Sequence, residues 1–505
     1  MDVLSSILGG FDVVFQPVNL AYCFAGVLIG MLIGVLPGLG PVATISILLP
    51  ITYGLEPATA IIMLAGIFYG AQYGGTITSV LLRLPGESTT VVTVFDGYQM
   101  ALRGRAGAAL GIAAVGSFVG GTVSILGLSF LAPVVAEFAL DFGPPEYAVL
   151  TLLGILLVST LGTGSPLKSL AVAVAGLLLA TVGRDTFTGM GRFILGSDNL
   201  ADGIDFVPLA MGLFGVGEIL YDLERRAREK LTMPAIGKVW ISRLDWIRSR
   251  AAIARGTVLG FVIGILPGGG AALSSMLSYA VEKRVSKTPK EFGRGAIEGV
   301  AGPETANNAA ATSSFIPLLT LGLPANATMA VIFGALLLQG VTPGPQMITE
   351  HPDVFWGVID SMWIGNIFLL VMSVPLVGLF IRILRVRATI LAPITIMITM
   401  IGVYTVNNSL FDMYLVIGFG IIGYLMKKFG FEPGPLVLAF VLGGQMETAF
   451  RQSLRLFDGS PAGFFTRPIS GTLLAAMVVG GILLVALRRR TTVAPDDAPV
   501  EEVRR

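Results

Sequence analysis

Long apolar runs alternate with short polar turns along this chain, and the runs match the length of membrane-spanning helices. A helix needs about 20 mostly apolar residues to cross a bilayer. The runs that approach this length cover residues 18–36, 58–82, 107–135, 146–163, 166–182, 205–221, 252–266, 354–381, 388–406, 411–426 and 469–487. Shorter apolar segments cover residues 41–53, 88–101, 271–281, 309–321, 326–342 and 434–449. The pattern predicts an all-α polytopic membrane protein with about 10–12 transmembrane helices and additional broken or re-entrant helices.

Basic residues concentrate at two places between or after these runs. The polar stretch 222–255 is rich in lysine and arginine, and Arg488–Arg490 directly follow the last apolar run. By the positive-inside rule we expect both places, and hence the C-terminus, to be cytoplasmic. Residues 491–505 are polar and contain proline, which predicts a disordered cytoplasmic tail. Residues 1–16 lack the features of a cleavable signal peptide, so we expect insertion through the hydrophobic helices themselves.

Two short motifs each occur twice, in the same order. Gly34–Gly40 (GVLPGLG) recurs as Gly264–Gly270 (GILPGGG), each time directly after an apolar run. Leu84–Thr89 (LPGEST) follows the first copy, and Leu323–Thr328 (LPANAT) follows the second. Such self-similarity predicts two structural halves. The predicted division is a first half of residues 1–221, a cytoplasmic basic linker of residues 222–255, a second half of residues 256–490, and the tail 491–505.

The charges beside the motifs predict opposite orientations of the two halves in the membrane. In the first half, residues 53–57 between the motifs contain no basic residue, whereas Arg103 and Arg105 follow the second motif. In the second half, the basic residues lie between the motifs, and acidic residues with His351 follow them. Inverted repeats with Pro/Gly-broken helices at matching positions are typical of secondary transporters, whose substrate site lies at the repeat interface. Ordinary helix kinks are the alternative interpretation, but two matched pairs of motifs favour the transporter.

The predicted breaks supply groups for an anion and for a cation. A helix that restarts after a break presents free N–H groups that suit a carboxylate, and the helix before it ends in carbonyl oxygens that suit a cation. We expect substrate binding at Gly38, Gly40, Ser88, Thr89, Thr90, Asn307, Asn308, Pro324, Asn326 and Thr328. We expect cation binding, with sodium as one option, at Gly268, Gly270, Ser274, Glu304 and Thr312.

Several of these side chains also have a purely structural interpretation. Serine and threonine hydroxyls can bond back to their own helix, whereas the adjacent amides Asn307 and Asn308 are costly in an apolar bundle unless they are used. Arg83 and Glu87 lie one helical turn apart and predict an ion pair, with contact between Arg83 and the substrate as the alternative. Glu304 either helps to hold a cation or bonds a helix N-terminus.

Composition supports a membrane protein and excludes several other classes. Hydrophobic residues make up 54% of the 505 residues and charged residues 13%, and the mean hydropathy is +0.82. The 33 basic and 32 acidic residues nearly cancel, which excludes nucleic acid as a partner. One cysteine and one histidine rule out a disulfide framework and a Cys/His zinc site, and no G-x-x-x-x-G-K-[ST] loop occurs. We therefore expect no enzyme activity and no cofactor.

The motif blocks resemble a known family. The run from Gly34 to Gly111, which contains GVLPGLGPVATISILLP and GGTITSVLLRLPGEST, is similar to the large membrane subunit of the tripartite tricarboxylate transporter family, the TctA-type permeases. The second-half blocks GILPGGGAALSSMLSYAVEKR and GVAGPETANNAAATSSFIPLLTLGLPANATMA are similar to the same family, and the similarity extends over most of residues 1–490.

The resemblance implies a multi-pass subunit of the bacterial inner membrane. Such a subunit works with a small four-helix membrane subunit and a periplasmic substrate-binding protein. The resemblance also implies uptake of citrate or other di- and tricarboxylates by sodium or proton symport, with an elevator-like movement by analogy with related transporters.

Two other function classes are compatible with the sequence. A channel for small anions would use the glycine-rich breaks as a filter and would conduct without a binding protein. An intramembrane enzyme would need paired acids, a Ser-His set or metal ligands inside the bilayer, whereas His351 is expected in a polar loop.

Overall fold

The computed structural model describes residues 3–36, 40–161, 165–226, 239–373, 375–383 and 388–491. Most of these residues are helical, and the strands among them form a short hairpin in which Gly183–Arg184 pairs with Gly191–Arg192. The predicted all-α class is therefore confirmed. Gly38, residues 227–238 of the predicted linker and residues 492–505 of the predicted tail lie outside the described residues.

The helices of the predicted first half match most of the apolar runs. They are α1 (Val3–Val14), α2 (Pro17–Gly34), α3 (Pro41–Thr52), α4 (Pro57–Leu82), α5 (Thr93–Leu102), α6 (Ala106–Ala139), α7 (Pro144–Leu161), α8 (Pro166–Ala180), α9 (Phe206–Ala210) and α10 (Gly217–Arg226). A 3₁₀ turn at Ser88–Thr90 precedes α5, and a π-helical turn at Met211–Val216 joins α9 to α10. Proline opens α2, α3, α4 and α8, where its missing N–H would have no acceptor within the helix.

The helices after the basic segment also coincide with most of the apolar runs predicted there. They are α11 (Arg243–Ile265), α12 (Gly270–Val285), α13 (Glu298–Ser313), α14 (Phe315–Leu321), α15 (Ala327–Leu338), α16 (Met347–Glu350), α17 (Pro352–Ser373), α18 (Val377–Ile383), α19 (Ala388–Asn407), α20 (Leu410–Lys428), α21 (Gly434–Leu456), α22 (Gly463–Thr466) and α23 (Pro468–Thr491). The described helices that are long and apolar enough to cross a membrane are Pro17–Gly34, Pro57–Leu82, Ala106–Ala139, Phe206–Glu224, Pro352–Ser373 and Leu410–Lys428. The chain is thus a multi-pass membrane protein.

Each of the four repeated motifs coincides with a break between helices. Gly40 is extended before α3, and Leu266 is extended after α11. Gly268 follows with a φ of +78°, a left-handed conformation that glycine adopts without strain. Arg83 ends α4 with a φ of +60°, and Gly322 ends α14 with a φ of +66°. Helices therefore stop and restart where the glycine and proline motifs predict.

α2 packs on α4 through glycines spaced four residues apart. Gly26, Gly30 and Gly34 lie directly against the α4 backbone, and their respective contacts are Met63, Ile67 and Ala71. Both series rise in the same order, so the two helices are parallel. A Cβ atom on any of these glycines would overlap a carbonyl oxygen of α4. The helices therefore touch backbone to backbone, as small residues allow in membrane proteins.

The same arrangement occurs between α11 and α13 in the second half. Gly256, Gly260 and Gly264 lie against the α13 backbone, and their respective contacts are Gly302, Ala306 and Ala310. These two helices are also parallel, and glycine is again required because its Cβ would overlap a carbonyl oxygen. The repeat thus extends from the break motifs to the packing of the helices before them.

α4 and α13 meet between the two halves and run in opposite directions. The Phe68 ring of α4 lies 6.3 Å from the Phe315 ring, just beyond the end of α13, whereas Thr76 bonds to Glu304 near its start. α6 of the predicted first half packs on α13, and α17 of the predicted second half packs on α4. Each predicted half therefore contributes a helix that packs on the central helix of the other.

The described part of the predicted basic linker includes the start of α11. Ser242 and Asp245 form a capping box there, and Arg105 of the first half forms an ion pair with Asp245. Arg255 donates two hydrogen bonds to Glu282 of α12, at 2.7 and 2.5 Å. Residues 243–255 thus belong to a helix held by ion pairs. The predicted division into two repeat halves and a linker stays a prediction.

The described residues fall into two compact units. The larger combines residues 1–141 with residues 154–444, and it contains all four breaks. The smaller combines residues 142–153 with residues 445 onward. Its core includes Ala148, Val149 and Phe464, and Glu146 accepts a 2.8 Å hydrogen bond from Arg467.

Candidate functional site

The first tip, between α4 and α5, is closed by its own hydrogen bonds. Glu87 and Thr90 form a capping box around the 3₁₀ turn, and Ser79 of α4 donates a 2.8 Å bond to the Thr90 hydroxyl. Ser88 is exposed, whereas Thr89 and Thr90 are buried. Thr90 therefore stabilises the turn, and Thr89 is the hydroxyl of this tip that reaches towards the other half.

A chain of hydrogen bonds joins this tip to the second half. The Thr89 hydroxyl donates to Gln72 Oε1 at 2.8 Å, and Asn307 Nδ2 donates to Thr89 Oγ1 at 3.4 Å. Gln72 Nε2 and Asn307 Oδ1 are buried and have no partner among the described residues. Buried polar atoms are nearly always satisfied in folded proteins. One free donor and one free acceptor in the same cluster therefore fit a polar ligand or ordered water.

Glu304 lies one helical turn before Asn307 and Asn308, and its carboxylate is fully buried. Thr76 Oγ1 donates to Glu304 Oε2 at 2.5 Å, and Thr93 Oγ1 donates to Glu304 Oε1. Both donors are neutral hydroxyls of the first half, and no lysine or arginine bonds to Glu304 among the described residues. The carboxylate is thus held in place by hydrogen bonds without an opposing charge, which is costly inside a membrane protein unless a proton or a cation joins it.

Asn308 points towards α6 instead of towards the Thr89 chain. Its Nδ2 donates to Ser117 Oγ at 2.7 Å and to the Glu304 carbonyl oxygen at 3.1 Å. Ser117 in turn lies 3.4 Å from the same carbonyl oxygen, to which it donates. Asn308 therefore fixes α6 against α13 beside the Glu304 carboxylate.

In the second half, the two breaks touch each other. The Gly268 N–H donates to the Ala325 carbonyl oxygen at 2.8 Å, and an added Cβ on Gly270 would lie 3.7 Å from Asn326 Cβ. Asn326 caps α15 by accepting a 3.0 Å bond from the Met329 N–H. The Ser274 hydroxyl bonds back to Gly270 of its own helix at 2.9 Å. Pro324 and Thr328 are buried beside this tip.

The two breaks of the first half also meet. Gly86 lies so close to α2 and α4 that an added Cβ would be 2.6 Å from the Gly34 carbonyl oxygen and from Gly75 Cα. The Thr78 hydroxyl donates to the Val35 carbonyl oxygen at 2.7 Å. Both halves therefore pair a first break with a second one.

The predicted site residues fall into two groups. Thr89, Asn307 and Glu304 meet at the crossing of α4 and α13, whereas Gly268, Gly270, Ser274, Pro324, Asn326 and Thr328 surround the paired breaks of the second half. Thr312 lies two turns beyond Glu304 on α13, about 12 Å along the axis. Gly40 has no atom within 4 Å of an added Cβ, and Gly38 lies outside the described residues. The predicted cation set thus does not form one cluster among the described residues.

Four residues that bond to these candidates were not among the predicted substrate and cation residues. Gln72 and Thr76 lie on α4, Thr93 on α5 and Ser117 on α6, and all four are fully buried. Gln72 carries a recognisable signal, because an amide inside a 26-residue apolar helix needs a partner. Thr93 and Ser117 carry no such signal, since single hydroxyls are common in membrane helices.

The predicted ion pair between Arg83 and Glu87 is not formed. Arg83 is exposed, has no ion pair among the described residues, and places its guanidinium carbon 6.0 Å from the Tyr98 ring centroid. The left-handed backbone of Arg83 interrupts the helix, so the one-turn spacing to Glu87 no longer brings the two side chains together.

Comparison with known proteins identifies the family of this fold and site. The family model of the tripartite tricarboxylate transporter TctA family matches residues 20–438. An uncharacterized 52.8 kDa protein of Agrobacterium vitis, in the TAR-I ttuC' 3' region, is 50% identical over 475 residues, which are 94% of this chain and 95% of that protein. An uncharacterized protein in the TAR-II ttuC' 3' region of the same organism is 51% identical over 44% of this chain and 93% of its own length. No solved structure matches the chain. The matched region covers most of the chain and contains all four breaks. The chain therefore belongs to the tripartite tricarboxylate transporter TctA family, which is a family of transporters and not of enzymes.

Proposed function

We propose that this chain is the large permease subunit of a binding-protein-dependent secondary transporter that imports di- or tricarboxylates by symport with sodium or protons. The observation that carries the proposal is the buried cluster at the crossing of α4 and α13. It combines a carboxylate without an opposing charge, Glu304, with two amides that each have an unpartnered atom, Gln72 and Asn307.

The chemistry of this cluster supports a carboxylate substrate. A substrate carboxylate accepts hydrogen bonds, and Gln72 Nε2 is a free donor. A substrate hydroxyl or protonated carboxyl donates them, and Asn307 Oδ1 is a free acceptor. Neutral amides can bind and release an anion without the large desolvation penalty of a buried lysine or arginine.

The same cluster supports coupling to a cation. A substrate carboxylate next to Glu304 would place two negative charges in a buried site, and like charges repel strongly there. A sodium ion between them, or a proton on Glu304, removes this repulsion. Each of the two then binds more tightly when the other is present, and this coupled binding supports symport.

An inverted-repeat, elevator-type movement is also part of the proposal. The antiparallel crossing of α4 and α13 supports inversion, because these helices occupy equivalent places in the two halves. The paired breaks within each half support a unit that carries its own tips as it moves.

The remaining parts of the proposal follow from family membership. The TctA family implies a tripartite system, so the expected partners are a small four-helix membrane subunit and a periplasmic substrate-binding protein. We place the chain in a bacterial inner membrane with its C-terminus in the cytoplasm, consistent with the arginines at the end of α23.

Uptake into proteoliposomes tests the function. The vesicles contain this chain and its small subunit, a binding protein loaded with labelled citrate or another di- or tricarboxylate is added outside, and sodium and proton gradients are imposed separately. Accumulation against the substrate gradient under one of these conditions supports symport. Downhill flux that needs neither a gradient nor the binding protein would instead indicate a channel. Asn307→Ala should lower uptake, and Asn199→Ala, which changes an exposed amide, is the matched control.

A further inference from the structure

Asp360 is a buried carboxyl group in α17 that the proposed substrate and cation site does not use. Its exposure to solvent is 0%, and neither of its carboxyl oxygens has a hydrogen-bond partner among the described residues. The carboxyl group is therefore buried and not bonded into a network of the described residues.

The backbone of α1 covers this carboxyl group. A Cβ atom added to Gly10 would overlap Asp360 Oδ2 and would lie 2.8 Å from Trp356 Cβ. Val13 of the same helix lies against Gly357, where an added Cβ would be 3.1 Å from a Val13 methyl group. Glycine at position 10 thus lets α1 close directly over Asp360.

Among the described residues, the helices packed on α17 carry no positive charge that could pair with an ionised Asp360. The helices that pack on α17 are α1, α2, α4, α6 and α16, and neither they nor α17 contain a lysine or an arginine. The titratable side chains on these helices and at the end of α16 are Asp12, Tyr22, Cys23, Tyr69, Tyr73, Glu137, Glu350, His351 and Asp353. Among them, Cys23 Sγ lies 3.7 Å from the carbonyl oxygen of Ser361, the residue that follows Asp360, and 3.8 Å from the Tyr69 hydroxyl.

A proton is the occupant that fits these surroundings. An ionised carboxylate that is buried without a partner costs several kcal/mol. A metal ion needs several ligands, whereas no group of three or more His, Cys, Asp or Glu side chains lies together among the described residues. We propose that Asp360 is a proton-binding site, separate from the Glu304 cluster, whose carboxyl group is protonated while α1 lies on α17. Movement of α1 away from α17 would admit water and release the proton.

Infrared spectroscopy of the full chain in lipid tests this assignment without any transport measurement. Protonated carboxyl groups absorb in a region free of other protein bands, and aspartate labelled with ¹³C at the carboxyl carbon shifts only the aspartic acid bands. We expect a protonated aspartic acid band at neutral pH that shifts with the label in the wild-type chain. It should be lost in Asp360→Asn and retained in Asp353→Asn, which changes an exposed carboxyl group on the same helix.

Two results would overturn the proposal. One is the absence of a label-sensitive protonated aspartic acid band in the wild-type chain at neutral pH, a measurement that needs no variant to fold. The other is loss of the band when sodium is added, which would identify a metal ion as the occupant. Because Glu304 is not affected by aspartate labelling, either result leaves the proposed transport site untouched.

Discussion

Thr76 donates a 2.5 Å hydrogen bond to the carboxylate of Glu304, which lies 228 residues later in the chain. The bond joins α4 and α13, the central helices of the two predicted halves. Thr93 bonds to the other carboxyl oxygen, so the predicted first half fixes a carboxyl group supplied by the predicted second half. Binding or release of the proposed coupling ion at Glu304 would therefore act directly on both.

Replacing Glu304 tests its role in coupling. Glu304→Gln keeps the shape of the side chain and an acceptor for the threonines but removes the charge that attracts a cation. We expect gradient-driven uptake in proteoliposomes to fall to background, while the protein still inserts and folds. Glu291→Gln, which changes an exposed carboxyl group, should transport normally. Uphill uptake by Glu304→Gln at the wild-type rate would contradict the assignment.

Gln72 and Asn307 should act on the substrate as a pair. Each alanine variant should weaken carboxylate binding roughly tenfold, about 1.4 kcal/mol. Because both amides bond to Thr89, we expect the double variant to lose less affinity than the sum of the single losses. The quantity to measure is the concentration of unlabelled substrate that reduces the uptake of labelled substrate by half. Strict additivity, or unchanged affinity in both single variants, would show that the amides bind the substrate independently or not at all.

The glycine contacts of α2 and α11 should tolerate no side chain. Gly30→Ala and Gly260→Ala should each destabilise the protein by about 1–3 kcal/mol, the usual range for overpacking a core. Gly418 is the control, because it lies on the exposed face of α20 with no atom within 4 Å of an added Cβ. Gly418→Ala should stabilise the helix by up to ~1 kcal/mol. Thermal unfolding in one detergent at one heating rate compares the variants, and equal midpoints for all three would contradict the packing.

The ion pairs of Arg248 should make a small contribution to stability that depends on pH. Arg248 bonds to Glu291 at 2.8 Å and to Glu298 at 2.9 Å, and the bond from Arg248 lowers the pKa of Glu291 below its usual value. A lowered folded-state pKa stabilises the protein above the unfolded pKa and loses that effect as the pH falls through the folded value. Arg248→Gln should therefore cost less than about 1 kcal/mol at neutral pH, because Glu291 is largely exposed.

This cost should decrease in acid, as the pH falls through the lowered pKa of Glu291 and its side chain becomes neutral. Thermal unfolding at neutral and at acidic pH measures the difference between the wild-type chain and Arg248→Gln. Lys287→Gln removes an exposed lysine from the segment just before Glu291 and should show no such pH dependence. A difference that grows as the pH falls would mean that Arg248 does not stabilise the ionised glutamates.

The breaks could be predicted from sequence because their causes are local. Glycine and proline limit the backbone within a few residues, and Gly268 and Gly322 have the left-handed conformations that these motifs require. Thr89, Asn307 and Glu304 could be named as candidates because polar groups in apolar segments need a partner, and their role in binding stays a prediction. Their bonds to Gln72, Thr76 and Thr93 could not be predicted, since they depend on how distant helices cross.

The predicted cation-binding residues also show that spatial contacts are hard to predict from the sequence. Proximity in sequence placed Glu304 and Thr312 together, but an α-helix separates residues eight positions apart by two full turns. Likewise, the one-turn spacing of Arg83 and Glu87 predicts a pair only within a continuous helix, and Arg83 itself ends α4. The spacing of two residues in the sequence predicts their distance in space only when the helix breaks between them are known.

The glycine contact between α2 and α4 also restricts which parts of the molecule can move independently. Long side chains between two helices can change rotamer and let the helices slide, but backbone in direct contact with backbone has no such freedom. α2 and α4 should therefore be displaced as one rigid body, and α11 and α13 as another. The hinges of any transport movement then have to lie in the loops that connect these pairs of helices to α6 and α17. Restraining those loops should therefore stop transport while leaving each pair of helices intact.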